Sequence, residues 1–230
     1  MSNTTSPVTR KTLVDHVEAQ LRRAVLFGDL GHASRINEVT LARELGVSPT
    51  PVREALRRLE SSGLVRYEPW RGYGSAEFSD EDVAHLFDVR IALERMAVLE
   101  AAARLDDAGL RFLDASLQRW QAEASETDLE HVHALNEEFH GFFVHSSGNR
   151  WLRQLIGEIA DLSLLVRADF SRVQPPTRSL AEHGAIVDAL RRGDAAGAAA
   201  AMEAHLARVR DDTLAFRRSG ALAPRARPEP

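Results

Sequence analysis

The 230-residue chain contains no cysteine. That excludes disulfides and thiolate chemistry and leaves oxygen and imidazole groups as its metal ligands. No apolar run approaches the roughly 20 residues needed to span a bilayer. The first residues, MSNTTSPVTR, lack a hydrophobic signal core, so a soluble, cytoplasmic protein with no membrane partner is expected. Strand signals are missing beyond residue 78, and there is no internal repeat. What remains is an ordinary globular composition, 44% hydrophobic and 27% charged, on a chain long enough for two small domains. Charge is unevenly spread: residues 1–78 hold 11 Lys/Arg against 9 Asp/Glu, and the rest 18 against 25. The split fits a weakly cationic front module on an acidic body, although so small an excess identifies no nucleic-acid binder.

Residues 1–8 and 219–230 are expected to be disordered tails, with a small domain over 9–78 and an all-helical one over 79–218. Leu13, Val17, Leu21 and Val25 recur every four residues, which predicts a helix over 9–27 that "GDLGHAS" interrupts. Two short helices follow, at about 38–45 and 50–62, ended by Gly46 and Gly63. "LVRYEPWRGYGSAEF" has two β-forming runs around a Pro/Gly centre and reads as a hairpin. "SDED" at 79–82 matches a capping box. Helices are then expected at about 80–104, 107–124, 128–147, 150–172, 176–192 and 194–218, broken at Asp106–Asp107, Ser125–Thr127, Gly148–Asn149, Pro175–Pro176 and Gly193. The fold class expected is mostly α: a winged helix-turn-helix (α+β) followed by an antiparallel helical bundle. The alanine-rich "AAGAAAAMEAHL" predicts close helix packing.

In the front module Leu41, Leu45, Val52, Leu56 and Leu59 supply a small core, Gly46 the tight turn, and Ser48 an N-cap ahead of Pro49 and Pro51. Thr50, Arg53 and Arg57 lie about 100–160° around the helix from Val52. A hydroxyl and two guanidinium groups on that face suit phosphates and guanine edges in a major groove. A merely solvated basic face is the alternative, above all for Arg57 and Arg58. "LARELGVSPTPVREALRRLESSGLV" with a following "RG" hairpin resembles the DNA-binding domain of the GntR family of bacterial transcription regulators. The resemblance implies that Ser48, Thr50 and Arg53 contact DNA from the recognition helix and that Arg71 and Gly72 form a wing tip for the minor groove. Pro49 stands where many relatives carry Arg, and Val39 where some do. Fewer cationic contacts imply weaker affinity or a different operator.

In the rest of the chain three histidines fall on apolar helical faces: His140 with Asn136 and Val144, His183 with Leu180, Val187 and Leu190, and His205 with Met202 and Val209. A lone histidine in such a place is usually a hydrogen-bonded core residue, but inward faces of a bundle converge. "DVRIALERMAVLEAA", "NEEFHGFFVHSSGN" and "EHGAIVDALRRGDAAGAAAAMEAHL" are similar, in order and spacing, to the FCD ligand-sensing domain of the FadR-type GntR branch. In metal-containing members that resemblance implies a divalent ion held by Asn136, His140, His183 and His205, with zinc expected and nickel or manganese as alternatives. Asn136 brings no negative charge, so the open positions of the ion are expected to favour a small carboxylate effector. Glu137, about 60° from His140 around its helix, reads as a solvated residue rather than a substitute ligand.

Arg90 lies on the stripe of Leu86, Leu93 and Ala97, where a charge needs a partner. Either Glu94 one turn on pairs with it, or it forms a fork for an effector carboxylate. His133, on the His140 face, is expected to line the effector cavity, whereas His85, His131 and His145 read as surface or rim residues. The whole reads as a homodimeric regulator that places two recognition helices on a pseudo-palindromic operator in double-stranded DNA and is controlled by a small organic acid. The alternatives are a metal-free sensor and a histidine-site metalloenzyme. The enzyme lacks an evident general base, since no Asp or Glu is clearly fixed to the His140 face.

Overall fold

The computed structural model describes residues 13–27, 36–123, 129–173 and 177–219. The expected tails apart from Ser219, the "GDLGHAS" break and the breaks at Ser125–Thr127 and Pro175–Pro176 lie outside those residues. The chain divides into two units, Met1–Ala76 and Glu77–Pro230.

In the first unit α1 spans Leu13–Phe27, α2 Glu38–Glu44 and α3 Pro49–Ser61, followed by β1 Val65–Glu68 and β2 Gly72–Ser75. Asn37 caps α2, its side chain accepting from the Val39 and Thr40 amides. Gly46, at φ 66°, and Gly63, at φ 75°, end α2 and α3 in the left-handed region. The amides after them, of Val47 and Leu64, return to Ala42 and Leu59 carbonyls at 2.9 and 3.0 Å, the bond that closes a helix end at glycine. Val52, Leu56 and Leu59 of α3 are fully buried with Val17 and Leu21 of α1, while Leu45 is only half-buried. The strands pair antiparallel, Tyr67 opposite Tyr73, and an isolated bridge from Ile36 to Tyr73 extends the sheet edge.

In the second unit α4 spans Asp80–Ala102, α5 Asp107–Glu123, α6 Leu129–Ser146, α7 Arg150–Val173, α8 Thr177–Arg191 and α9 Ala195–Arg218. Ser79 and Asp82 form the capping box on α4, with Arg217 and Arg218 of α9 bonded to Asp80 at 3.0 and 2.9 Å. Ala198 and Ala199 are fully buried. Their lack of bulk lets α9 approach α4 and α8, its main packing partners, which meets the close packing expected of the alanine run. The core runs through Val98, Leu113, Phe139, Phe143, Ile186 and Met202. Among the described residues no helix is long and apolar enough to cross a membrane.

Candidate functional site

On the first unit, α3 begins at Ser48, whose side chain makes no capping bond. The expected cap is therefore positional only, and its hydroxyl is left exposed beside Thr50. Arg53, Arg57 and Arg58 are all exposed, but they are engaged differently. Arg58 bonds Asp15 and Glu18 of α1 at 3.0 and 3.3 Å and so ties α3 to α1. Arg53 Nε donates to Glu38 at 2.9 Å. Arg57 has no ion-pair partner among the described residues and is the most available cation on this face. In the hairpin Arg71 is exposed, 3.5 Å from Glu68, and Gly72, at φ 82°, opens β2. The turn before them holds Trp70, fully exposed and at φ 68°, a conformation rare for a bulky side chain. Sequence reading passed over this indole, although its place between Pro69 and the Arg-Gly pair was visible.

The contrast between neighbouring arginines gives a test. Arg57→Ala should weaken duplex binding across sequences and reduce the slope of log affinity on log salt by about 1, the value for one lost phosphate contact. Arg58→Ala should leave that slope unchanged and lower stability only slightly, as the loss of an exposed pair does. Fluorescence anisotropy of a labelled operator over a salt series reads the first, and thermal unfolding the second.

The second unit brings His140 of α6, His183 of α8 and His205 of α9 together, all buried, with one ring nitrogen of each within 4.8 Å of the others. The surroundings orient the rings. His183 stacks on Phe139 at 4.0 Å between centroids and meets the edge of Trp120 at 4.9 Å. His140 Nδ1 bonds the buried Glu94 carboxylate of α4, and His205 Nδ1 bonds Glu182 of α8 at 2.7 Å. A carboxylate at Nδ1 keeps the proton there and turns the Nε2 lone pair inward. His140 Nε2 and His183 Nδ1 are buried without a hydrogen-bond partner in the protein, and His183 Nε2 lies 3.3 Å from His205 Nε2. Two nitrogens each 2.0–2.1 Å from one tetrahedral zinc stand about 3.3 Å apart.

Burial keeps the His183 and His205 rings in the ligand form. Burial, with the neighbouring imidazoles and Arg90 adding to it, pushes His183 well below its ordinary value. Burial outweighs the help of Glu182 and lowers His205 to about 4. Burial also raises the Glu94 carboxyl, yet Arg90 and His140 beside it hold it well below the usual carboxylate range. Glu182 is lowered to about 2, because His205 and Arg208 outweigh its desolvation. Near neutral pH the site therefore has neutral rings at His183 and His205 and anionic carboxylates behind two of the three histidines. The donor set fits a divalent cation.

Asn136, nearly buried, lines a cavity of about 70 Å³ with His140 and His205. Arg90 and His133 reach the same cavity. Arg90 is buried and its Nε donates to Glu94 at 2.6 Å, so the intrahelical pair exists and the guanidinium also faces the cavity. Glu137 is partly exposed, 4.0 Å from His133, and it lines a second pocket with Arg90, Glu94 and His140. His85 and His145 are exposed, and His131 bonds Glu123 at 2.8 Å. The expectation that no acid is fixed to the His140 face is corrected by Glu94, which comes from a different helix and so carries no spacing signal. Glu182 and Arg167 were also missed. Glu182 lies about 100° around its helix from His183, and its bonds to His205 and Arg208 come from α9.

Residues 13–74 match the family described as "Bacterial regulatory proteins, gntR family", and residues 85–208 match the FCD domain. An HTH-type transcriptional regulator in an unstable DNA locus of Streptomyces ambofaciens is 33% identical over 84% of this chain and 81% of its own. The HTH-type transcriptional regulator YdhC of Bacillus subtilis is 33% identical over 62% of this chain. There the match spans 64% of the relative's length. The solved structure of Escherichia coli McbR/YncC has the same fold, with a TM-score of 0.74 at 24% identity over 91% of this chain and 99% of that one.

Proposed function

Because the chain belongs to the GntR family of bacterial regulatory proteins and carries an FCD domain, we propose that it is a metal-dependent sensor whose operator affinity is set by a small organic acid. The family makes it a DNA-binding transcription regulator rather than an enzyme, and that removes the metalloenzyme alternative. The observation that carries the sensor reading is the buried trio of His140, His183 and His205, with carboxylates behind two of the rings.

His140, His183 and His205 would hold the ion through ring nitrogens, and Asn136 would add a neutral oxygen. Zinc suits this donor set, with nickel or manganese as alternatives. When bound, the ion supplies an electrophilic point for a carboxylate, and three imidazoles with an amide leave its charge for that carboxylate to neutralise. Arg90 and His133 then orient the acid from the cavity wall. Two subunits, as a homodimer, would set their α3 helices in successive half-sites, with Ser48, Thr50, Arg53 and Arg57 at the major groove and Trp70, Arg71 and Gly72 at the backbone or minor groove. The acid changes operator affinity by favouring one dimer geometry over another.

Mobility shifts on DNA from upstream of its own coding sequence, with zinc-loaded and chelated protein and a panel of small carboxylates, test this. The expected result is a complex whose affinity responds to an acid only in the zinc-loaded protein. A response that survives chelation, with no metal by elemental analysis, would favour a metal-free sensor.

A further inference from the structure

Four guanidinium groups line the cavity beside the histidines: Arg90, Arg167, Arg178 and Arg208. Three of them already have carboxylates. Arg90 holds Glu94 at 2.6 Å, and Arg208 bonds Glu182 and Asp212 at 2.7 and 2.9 Å. Arg178 is 3.5 Å from both of those acids.

Arg167, on α7, is different. Its contacts are neutral: one Nη donates to Ser171 Oγ and the other to His133 Nδ1, both at 3.4 Å, and its Nε is buried without a partner. No carboxylate lies within ion-pair distance of it among the described residues. Burial, followed by the charge of Arg90, lowers its pKa to about 10 against the more distant pull of Glu137 and Glu94, so it remains a cation at neutral pH. His133, itself lowered to about 4 by burial and by Arg167, offers a lone pair and no charge. A guanidinium half withdrawn from water, with Glu137 and Glu94 acting on it only beyond ion-pair distance, is incompletely compensated. It is the kind of feature that a fold keeps where a ligand supplies the missing charge.

We propose that the effector is an acid with two anionic groups, one drawn to the histidine trio and its metal, the other held by Arg167. This rests on the effector reading above and narrows it to a class. A single carboxylate satisfies only one of the two sites. The cavity of about 70 Å³ has room for only a few water-sized groups, so the chain between the two acids is short. A planar guanidinium with a free Nε can take a carboxylate through two parallel N–H bonds.

Calorimetric titration of the zinc-loaded protein with malonate and succinate, against propionate and butyrate of the same chain lengths, provides the test. At least one diacid should bind about tenfold more tightly than its matched monoacid, the gain of one charge-assisted contact. Arg167→Met keeps the apolar stem and should remove that preference, lowering diacid affinity far more than monoacid affinity. It should also raise the unfolding temperature of the effector-free protein slightly, because a half-buried and incompletely compensated charge has gone. Arg167→Lys, which keeps the charge but not the fork, should retain part of the preference. Equal binding of diacids and monoacids overturns the two-anion assignment and leaves the sensor reading standing, as does an equal loss of both in Arg167→Met. If no acid of either class binds, with zinc or after chelation, the sensor reading fails and this inference with it.

Discussion

Zinc added to chelator-treated protein should raise the unfolding temperature by about 5–10 °C, and the His183→Ala variant should show no such rise. At a free ion concentration a hundredfold above the dissociation constant, binding to the folded state alone contributes about 2.7 kcal/mol. For a domain of this size each kcal/mol moves the transition by about 2–4 °C. His183 is the informative residue because it is fully buried and anchored on Phe139 and Trp120. The variant itself unfolds earlier through lost packing, so the reading is the zinc-dependent increment and not the absolute temperature. Asn136→Asp should enlarge the increment, since a carboxylate in place of the amide partly neutralises the ion. An increment of wild-type size in His183→Ala would remove the trio as the metal site.

Glu94→Leu should cost about 3–5 kcal/mol, the penalty for leaving one member of a buried ion pair without its partner. Glu94 is almost completely buried between Arg90 and His140, and its loss leaves the buried Arg90 guanidinium without its ion-pair partner, facing a cavity lined by other cations. The same substitution should lower zinc affinity by about 10–100-fold, because His140 loses the group that fixes its ring and tautomer. The double variant Arg90→Met with Glu94→Leu should recover most of the stability, since no charge is then left buried. It should not recover the zinc affinity. Unfolding of the three proteins in urea, with zinc titrations on each, separates the two effects. If the double variant is as unstable as Glu94→Leu alone, the cost is one of packing and not of charge.

Much of this protein is written in local pattern. The helix starts at Asn37 and Ser79, the stops at Gly46 and Gly63, and the apolar stripe of Val52, Leu56 and Leu59 depend on neighbours a few residues away. The same holds for the three site histidines, each of which lies on an apolar stripe of its own helix. Those features act within one or two turns, so a linear reading finds them.

The second layer of the site is of another kind. Glu94 meets His140 across 46 positions of sequence, and Glu182 meets His205 across 23. Arg167 is conspicuous only because, among the described residues, no acid comes within ion-pair distance of it. Arg58 and Arg57 are neighbours of the same type, yet one is bound to α1 and the other has no ion-pair partner among the described residues. Periodicity assigns a residue to a face but not to a partner, and whether a charge is compensated depends on what the other helices bring beside it. The sequence by itself therefore determined the family, the reader head and the candidate ligands. Tertiary packing decided which lone pairs turn inward, which arginines are paired with carboxylates, and which cation has none within ion-pair distance among the described residues.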